Sequence, residues 1–381
     1  MKENLEQIKK INFFKKIKYF LNEKLMIISI LAAILTSILK RPHFSYINWH
    51  VIVNVFCIMA VVKVYEHLHV LEYIADKLIS SSKTERHLIQ VLLLLSFFGA
   101  MFLTNDMTVL AFVPLVILIS LESQFSPILP VVLITIAANL GSSLMPFGSP
   151  HNITIVSYYN ISIQKFLSYS LPLMLFSLLM LFICSLFFPN RPVKTNNLDK
   201  IYINKKPLFL FIPLTLLIFI SVIINNVFWL KWIVLCLVII SLIFYRPQIF
   251  KQIDYGLIVT FICFFIAVGN LSRLPEINSL LSQLSSTSVK TYFVGLISCQ
   301  FMSNVPTAIL FSRFTHCAQA LFLAVNIGGL GTLIASVANM IAYKRYKHDY
   351  GKHMSKFLYI FAGVNLLALI LFGFFGYLMI K

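Results

Sequence analysis

Asn139-Leu140-Gly141-Ser142-Ser143-Leu144-Met145-Pro146-Phe147-Gly148-Ser149-Pro150-His151-Asn152 is the stretch on which the fold turns. Apolar sequence leads into it from 127 and out of it to 157, yet its centre carries two glycines, two prolines and three serines. Proline and glycine both disfavour a helix interior, so a single apolar segment is broken in its middle. The layout returns at Asn326-Ile327-Gly328-Gly329-Leu330-Gly331-Thr332, continuing to Asn339. Asn139 and Asn152 are 13 apart, as are Asn326 and Asn339; Gly141 matches Gly328, and Ser149 matches Ser336. Polar groups at this density within apolar sequence are tolerated in lipid only where they line a cavity or are buried in protein.

Upstream of each break lie two apolar arms around a polar triplet. Arms 88–103 and 107–121 flank Thr104-Asn105-Asp106, and arms 289–302 and 306–318 flank Ser303-Asn304-Val305. Phe102-Leu103-Thr104-Asn105 matches Phe301-Met302-Ser303-Asn304, and Asn48-Trp49 at the start of a span matches Asp254-Tyr255. The first pair of arms is about 15–16 residues long, or about 23 Å at 1.5 Å per residue, short of the roughly 30 Å hydrocarbon thickness. A re-entrant hairpin with its polar tip inside the protein is therefore expected in each half.

The rest of the chain fits around this repeat. Of its 381 residues 59% are hydrophobic and 12% charged, far from the roughly 25% charge of soluble domains. The apolar runs show no period-2 alternation, so helices are the expected spanning element. Crossings are read at 25–39, 48–64, 127–157, 166–188, 207–225, 228–244, 255–270, 320–343 and 357–380, with stretches 66–79 and 271–286 lying along the interface.

The net charge of +18 would suit a nucleic-acid binder, but the cations sit in connections and the N-terminal tail rather than on a folded face. The tail, the Lys77/Lys83/Arg86 region, Arg191 to Lys206, Arg246/Lys251 and the 344–356 loop are the basic segments, and positive segments stay cytoplasmic. That puts the N-terminus inside, the C-terminus outside, and the second hairpin in the opposite sense to the first. The tail is too long, and lacks a small-residue cleavage site, for a signal peptide. The expected organisation is a basic cytoplasmic tail at 1–24, transmembrane repeat 1 at 25–188, a cytoplasmic linker at 189–206 and transmembrane repeat 2 at 207–381. The fold class is thus an all-α polytopic membrane protein of two inverted repeats, each with a re-entrant hairpin and a broken transmembrane helix.

Paired, interrupted segments at corresponding positions mark a transport site. The candidate substrate and ion ligands are Thr104, Asn105 and Asp106 at the first tip and Asn139, Gly141, Ser142, Ser143, Ser149 and Asn152 at the first break. Their counterparts are Ser303, Asn304, Thr307, Asn326, Gly328, Gly329 and Thr332. At a tip, carbonyls ending one arm suit a cation and amides opening the next suit an anion; Ser, Thr and Asn also cap helices anywhere. Asp106 is an intramembrane carboxylate, read either as the coupling residue, carrying a proton or binding a cation, or as a cap on the second arm. His151 is read as an anion contact or as a packed neutral histidine. Glu66-His67-Leu68-His69 has the look of a metal site but falls on an interfacial stretch, so no metal is expected. Arg313 and His316 sit toward the outer face, where Arg313 could attract anions and is read as a snorkelling or entrance residue rather than a direct ligand. Six scattered cysteines read as buried hydrophobes, and no nucleophile–base pair stands at matched depth.

These tips and breaks resemble those of the ion transporter superfamily, which holds divalent anion/sodium symporters, citrate transporters, arsenite permeases and sodium/proton antiporters. The resemblance runs from the first span to the last. In the divalent anion symporters each tip reads Ser-Asn-Thr, whereas the third position here is Asp106 or Val305. Asn105-Asp106 is similar to the Asn-Asp of the arsenite permeases and to citrate-transporter-like bacterial anion permeases. The resemblance implies a secondary transporter of a small anion, an organic carboxylate or an inorganic oxyanion, coupled to Na+ or H+ without a cofactor. A sodium/proton antiporter or an arsenite-type efflux permease are the alternatives, and a channel or intramembrane enzyme the outsiders. The expected setting is the inner membrane, multi-pass, with lipid bilayer and anion as partners, no nucleic acid, and a homodimer left open.

Overall fold

The computed structural model describes residues 26–79, 82–193, 203–224, 227 and 229–381. The tail at 1–24 and the centre of the 189–206 linker lie outside the described residues. Within them every regular element is a helix, and the nearest thing to a strand is one isolated bridge between Thr84 and Pro192.

The first half runs α1 (Met26–Leu39), α2 (Trp49–His67), α3 (Val70–Ile79), α4 (Glu85–Leu103), α5 (Asn105–Ser123), α6 (Ile128–Gly141), α7 (Pro150–Tyr159) and α8 (Ile163–Leu186). After α9 (Lys206–Ile223), the order returns as α10 (Leu230–Tyr245), α11 (Tyr255–Leu271), α12 (Pro275–Leu284), α13 (Ser288–Met302), α14 (Asn304–Ser312), α15 (Ala318–Gly328), α16 (Val337–Asp349) and α17 (Met354–Ile380). The starts are set by the same chemistry in both halves. Asn48 accepts from the N–H of Val51 to open α2, and Asp254 accepts from Leu257 to open α11. Thr84 caps α4 through His87, and Thr287 caps α13 through Lys290. Each cap satisfies an orphan amide of the first turn.

Among the described residues six helices (α2, α4, α5, α8, α9 and α17) are long and apolar enough to cross a membrane, and α11 with α12 adds a pair bent by 104°. The short arms expected for the first hairpin are not found. Its helices have 19 residues each, about 28 Å at 1.5 Å per residue. Their caps lie outside the apolar run: α4 begins at polar Glu85, and α5 persists to Ser123 before Gln124 turns left-handed at φ 58°. Arm length therefore gives no reason to make this hairpin re-entrant. In the second hairpin α13 has 15 residues and α14 only 9.

The halves interlock. Besides the contacts of each hairpin with its own broken segment, α5 packs on α16 and α14 on α7. The two glycines that end α6 and α15 both sit at close helix crossings. A Cβ on Gly141 would stand 2.0 Å from the carbonyl oxygen of Phe97, so α6 ends backbone against backbone on α4; on its counterpart Gly328 a Cβ would stand 2.8 Å from Cβ and Sγ of Cys299, with the nearest backbone atom, Cα of Leu296, at 3.5 Å.

Several basic connections meet at one end. The N–H of Glu85 donates to the carbonyl of Arg191, Arg86 reaches the carbonyl of Phe188, and Arg246 bonds His67. Glu66, His67 and His69 do not converge: Glu66 pairs with Lys63, His67 with Arg246, and His69 stands 3.8 Å from Glu72. Glu72 holds the His69 imidazole above its usual range against the opposing pull of burial.

Candidate functional site

Each hairpin turns on one residue. Thr104 (φ 74°, ψ 152°) and Ser303 (φ 73°, ψ 159°) occupy a region that glycine alone enters freely, at a cost of about 1–3 kcal/mol each. The following turn rewards the distortion alike in both. Thr108 donates its hydroxyl to the Thr104 carbonyl at 2.9 Å, and Thr307 to that of Ser303 at 2.7 Å. Thr307 braces the tip through this bond, and its counterpart Thr108 stands outside the sequence-derived set.

Four buried asparagines join the two halves. Asn139 at the end of α6 donates Nδ2 to Oδ1 of Asn339 at 2.8 Å, and Asn326 at the end of α15 donates to Oδ1 of Asn152 at 2.9 Å. The acceptor asparagines each turn back on their own break. Asn339 donates to the carbonyls of Gly329 and Thr332, and Asn152 to those of Ser142 and Met145. Spacing alone foreshadows this pairing, because 13 residues separate donor and acceptor in both halves.

The tips close onto this frame at neighbouring residues. Asn105 donates Nδ2 to Oδ1 of Asn139 at 3.1 Å and lies 3.4 Å from Oγ of Ser336. The backbone N–H of Asn304 donates to the carbonyl of Ala335 at 3.0 Å. Ala335 and Ser336, adjacent in the chain, therefore hold one tip each. Ser336 also donates to Asn139, and a Cβ on Gly329 would come within 3.2 Å of the Asn304 amide.

Other members of the set have structural duties. Ser142 and Ser143 donate to the carbonyls of Asn139 and Leu140 and close the end of α6. Gly141 and Gly328 permit the helix crossings described above. Thr332 donates to the carbonyl of Gln300 and lies exposed. Asp106, half-buried, stands in the first turn of α5, where the helix dipole favours a carboxylate.

His151 is packed. Its Nε2 lies 2.9 Å from Ser149 Oγ and 3.1 Å from Asn326 Oδ1, with the residue 2% exposed. Gln300, unremarked in the sequence, braces the second break by donating to the carbonyls of Gly328 and Leu330 while accepting from the N–H of Thr332. Its Oε1 would stand 2.3 Å from a Cβ at position 331, where φ is 101°, so only glycine fits.

A second concavity, of about 500 Å³, opens beside Tyr46, His50, Tyr158, Lys231 and Arg313. Neither Lys231 nor His50 is singled out by the sequence, because a lone cation beside a span reads as an interfacial anchor.

Comparison with known proteins agrees with this architecture. The chain is 29% identical over 332 residues to an uncharacterized transporter of Methanocaldococcus jannaschii, covering 86% of this chain and 90% of that protein. It is 28% identical over 304 residues to the inner membrane protein YbiR of Escherichia coli, covering 78% and 80% respectively. The citrate transporter family model matches residues 19–320, which include both hairpin tips and the whole first break. On that match, the chain belongs to the citrate transporter family and is a membrane transporter with multiple spans.

Proposed function

We propose that the protein is a secondary active carrier of a small anion, coupled to Na+ or H+, working by alternating access in the inner membrane. The observation that carries the reading is the joining of both strained tips to Ala335 and Ser336, above a frame of asparagines drawn from both halves. The substrate site is read at Thr104 to Asp106, Ser303, Asn304 and the adjoining breaks. Amides there offer both N–H donors for an anion and oxygens for a cation. The family is named for citrate transport, and the inner-membrane setting is the one that the name of YbiR gives for that relative. The repeated element order supports inverted repeats, in which one half rocks against the other around a fixed site. Unequal environments of the two breaks suit one state of such a cycle: 142–149 is almost wholly buried, while Thr332 and Ile334 are exposed.

Purified protein in proteoliposomes, offered citrate, succinate, sulfate or phosphate under separate sodium and proton gradients, tests this reading. Saturable accumulation of one anion under one gradient is expected, and the Asn105→Ala, Asn304→Ala double variant should insert normally and lose it. Wild-type uptake by that variant would refute the site. Sodium-dependent proton movement with no anion supplied would instead favour the antiporter alternative, which rests on Asp106, and arsenite extrusion would favour the efflux permease.

A further inference from the structure

We propose that the cavity of about 500 Å³ beside Lys231 and Arg313 is a second anion site, a vestibule for small multivalent oxyanions apart from the hairpin tips. The inference deepens the anion-carrier reading and rests on it for the identity of the cargo.

The cavity gathers side chains from both halves. His50 comes from α2, Lys231 from α10, and Arg313 follows the last residue of α14. None of the described residues lining it is acidic. Lys231 sits in the first turn of α10 and is only 8% exposed. Both circumstances disfavour a cation: the N-terminal end of a helix dipole is positive, and burial of charge at membrane depth marks function by default. A snorkelling lysine would spread its side chain over the surface, whereas this one is nearly buried and lines the cavity. Arg313 is held by one hydrogen bond, from Nη2 to the carbonyl of Tyr46 at 3.4 Å, and by stacking 5.1 Å above the Tyr46 ring. A guanidinium carries five N–H donors, so its geometry is fixed while donors remain for a ligand. Two cations lining one cavity suit an anion with two or more negative charges, of carboxylate or sulfate type.

Ile309 relates this cavity to the tip. It lines the 500 Å³ cavity and also a cavity of about 20 Å³ beside Ser303, Val305 and Pro306. Nine residues of chain separate Asn304 from Arg313, about 13 Å of helical rise. The vestibule and the second tip thus lie at opposite ends of α14, with Ile309 as a shared wall.

Trp49 lines the vestibule, and the chain has only two other tryptophans, Trp229 and Trp232. The full chain carrying Trp229→Phe and Trp232→Phe therefore reports on the cavity by fluorescence. Titration with citrate, succinate, sulfate and phosphate, with sodium chloride as the ionic-strength control, should give a saturable change for the organic or the inorganic anions but not for chloride. Lys231→Gln and Arg313→Gln should each weaken it by about tenfold or more, the loss of one charged contact. Lys231→Arg should retain it, and so should Asn304→Ala. A change that survives the Lys231→Gln, Arg313→Gln double variant, or that Asn304→Ala removes equally, would overturn the second site. So would the absence of any saturable change in protein that still accumulates an anion, an outcome that leaves the carrier reading intact. A normal signal in protein that accumulates no anion would sustain the vestibule and remove the carrier.

Discussion

The two half-sites share a frame and differ in how their tips are attached. In the first, the side chain of Asn105 reaches Asn139, so tip and break are coupled through side chains. In the second, the corresponding acceptor, Asn326 Oδ1, faces His151, while Asn304 takes part through its backbone and lies against Ser303 Oγ at 3.3 Å. The pairs that cross between halves are nearly the same length, 2.8 and 2.9 Å. What is held constant is therefore the joint between halves, and what has diverged is the grip on each tip.

Glycine substitution should separate the halves most sharply. Gly141→Ala forces a methyl against the Phe97 backbone, which cannot rotate away. Its penalty should exceed the roughly 1–3 kcal/mol typical of overpacking and abolish the monodisperse peak on gel filtration in detergent. Gly328→Ala meets Cβ and Sγ of Cys299, of which only the sulfur can rotate aside, and should cost about 1–3 kcal/mol, seen as a fall in melting temperature without loss of the folded peak. Equal behaviour of the two would mean that the helix crossings are alike after all.

Next come the frame asparagines. Asn139→Ala strands the Asn339 oxygen and leaves the first tip only the 3.4 Å contact of Asn105 with Ser336, whereas Asn326→Ala strands the Asn152 oxygen, leaves His151 its contact with Ser149, and does not release Asn304. Each stranded buried group costs about 1–3 kcal/mol, so both variants should melt early. Only Asn139→Ala should lose transport beyond what its lowered stability explains, as measured by initial uptake per folded molecule. An equal transport defect in the two would erase the distinction between the tips.

Asp106 has Val305 as its counterpart, and the comparison sharpens if the carboxylate carries coupling. Asp106→Asn should then retain exchange of substrate across the membrane and lose accumulation driven by a pH gradient, or lose sodium activation if sodium is the coupling ion. Full accumulation under both gradients would reduce Asp106 to a helix cap.

The smallest effect is expected at His151, whose counterpart is Ala338. His151→Gln keeps a polar group beside Asn326 and should shift stability by less than about 1 kcal/mol, while His151→Ala leaves a buried oxygen unmet and should cost about 1–3 kcal/mol. Neither should alter the pH profile of uptake. A shifted profile would return His151 to the list of anion contacts.

Much of the fold was readable because its signals are local. Glycine and proline break helices wherever they stand, basic loops sort to one side, and Asn48, Asp254, Thr84 and Thr287 cap their helices through residues three positions away. Hydropathy understates the length of the first hairpin because it stops at the apolar boundary, while α4 and α5 extend into polar turns at Glu85 and Ser123. The contacts that knit the site were beyond local reading. Asn105 and Ser336 are 231 residues apart, and only the internal repeat hints that the two breaks belong together. Lys231 and Arg313 gave no sign of sharing a cavity, since nothing in the spacing of α10 and α14 says that they meet.

The joint between Asn139 and Asn339 spans 200 residues of chain. At ribosomal speeds of about 5–20 residues per second, the second partner is made roughly 10–40 s after the first. During that interval the amide of Asn139 lacks the acceptor it holds in the folded chain, which belongs to a helix not yet synthesised. The polar seam between the halves is therefore completed only when α16 arrives. Biogenesis, as much as transport, sets the conditions under which these asparagines can be kept.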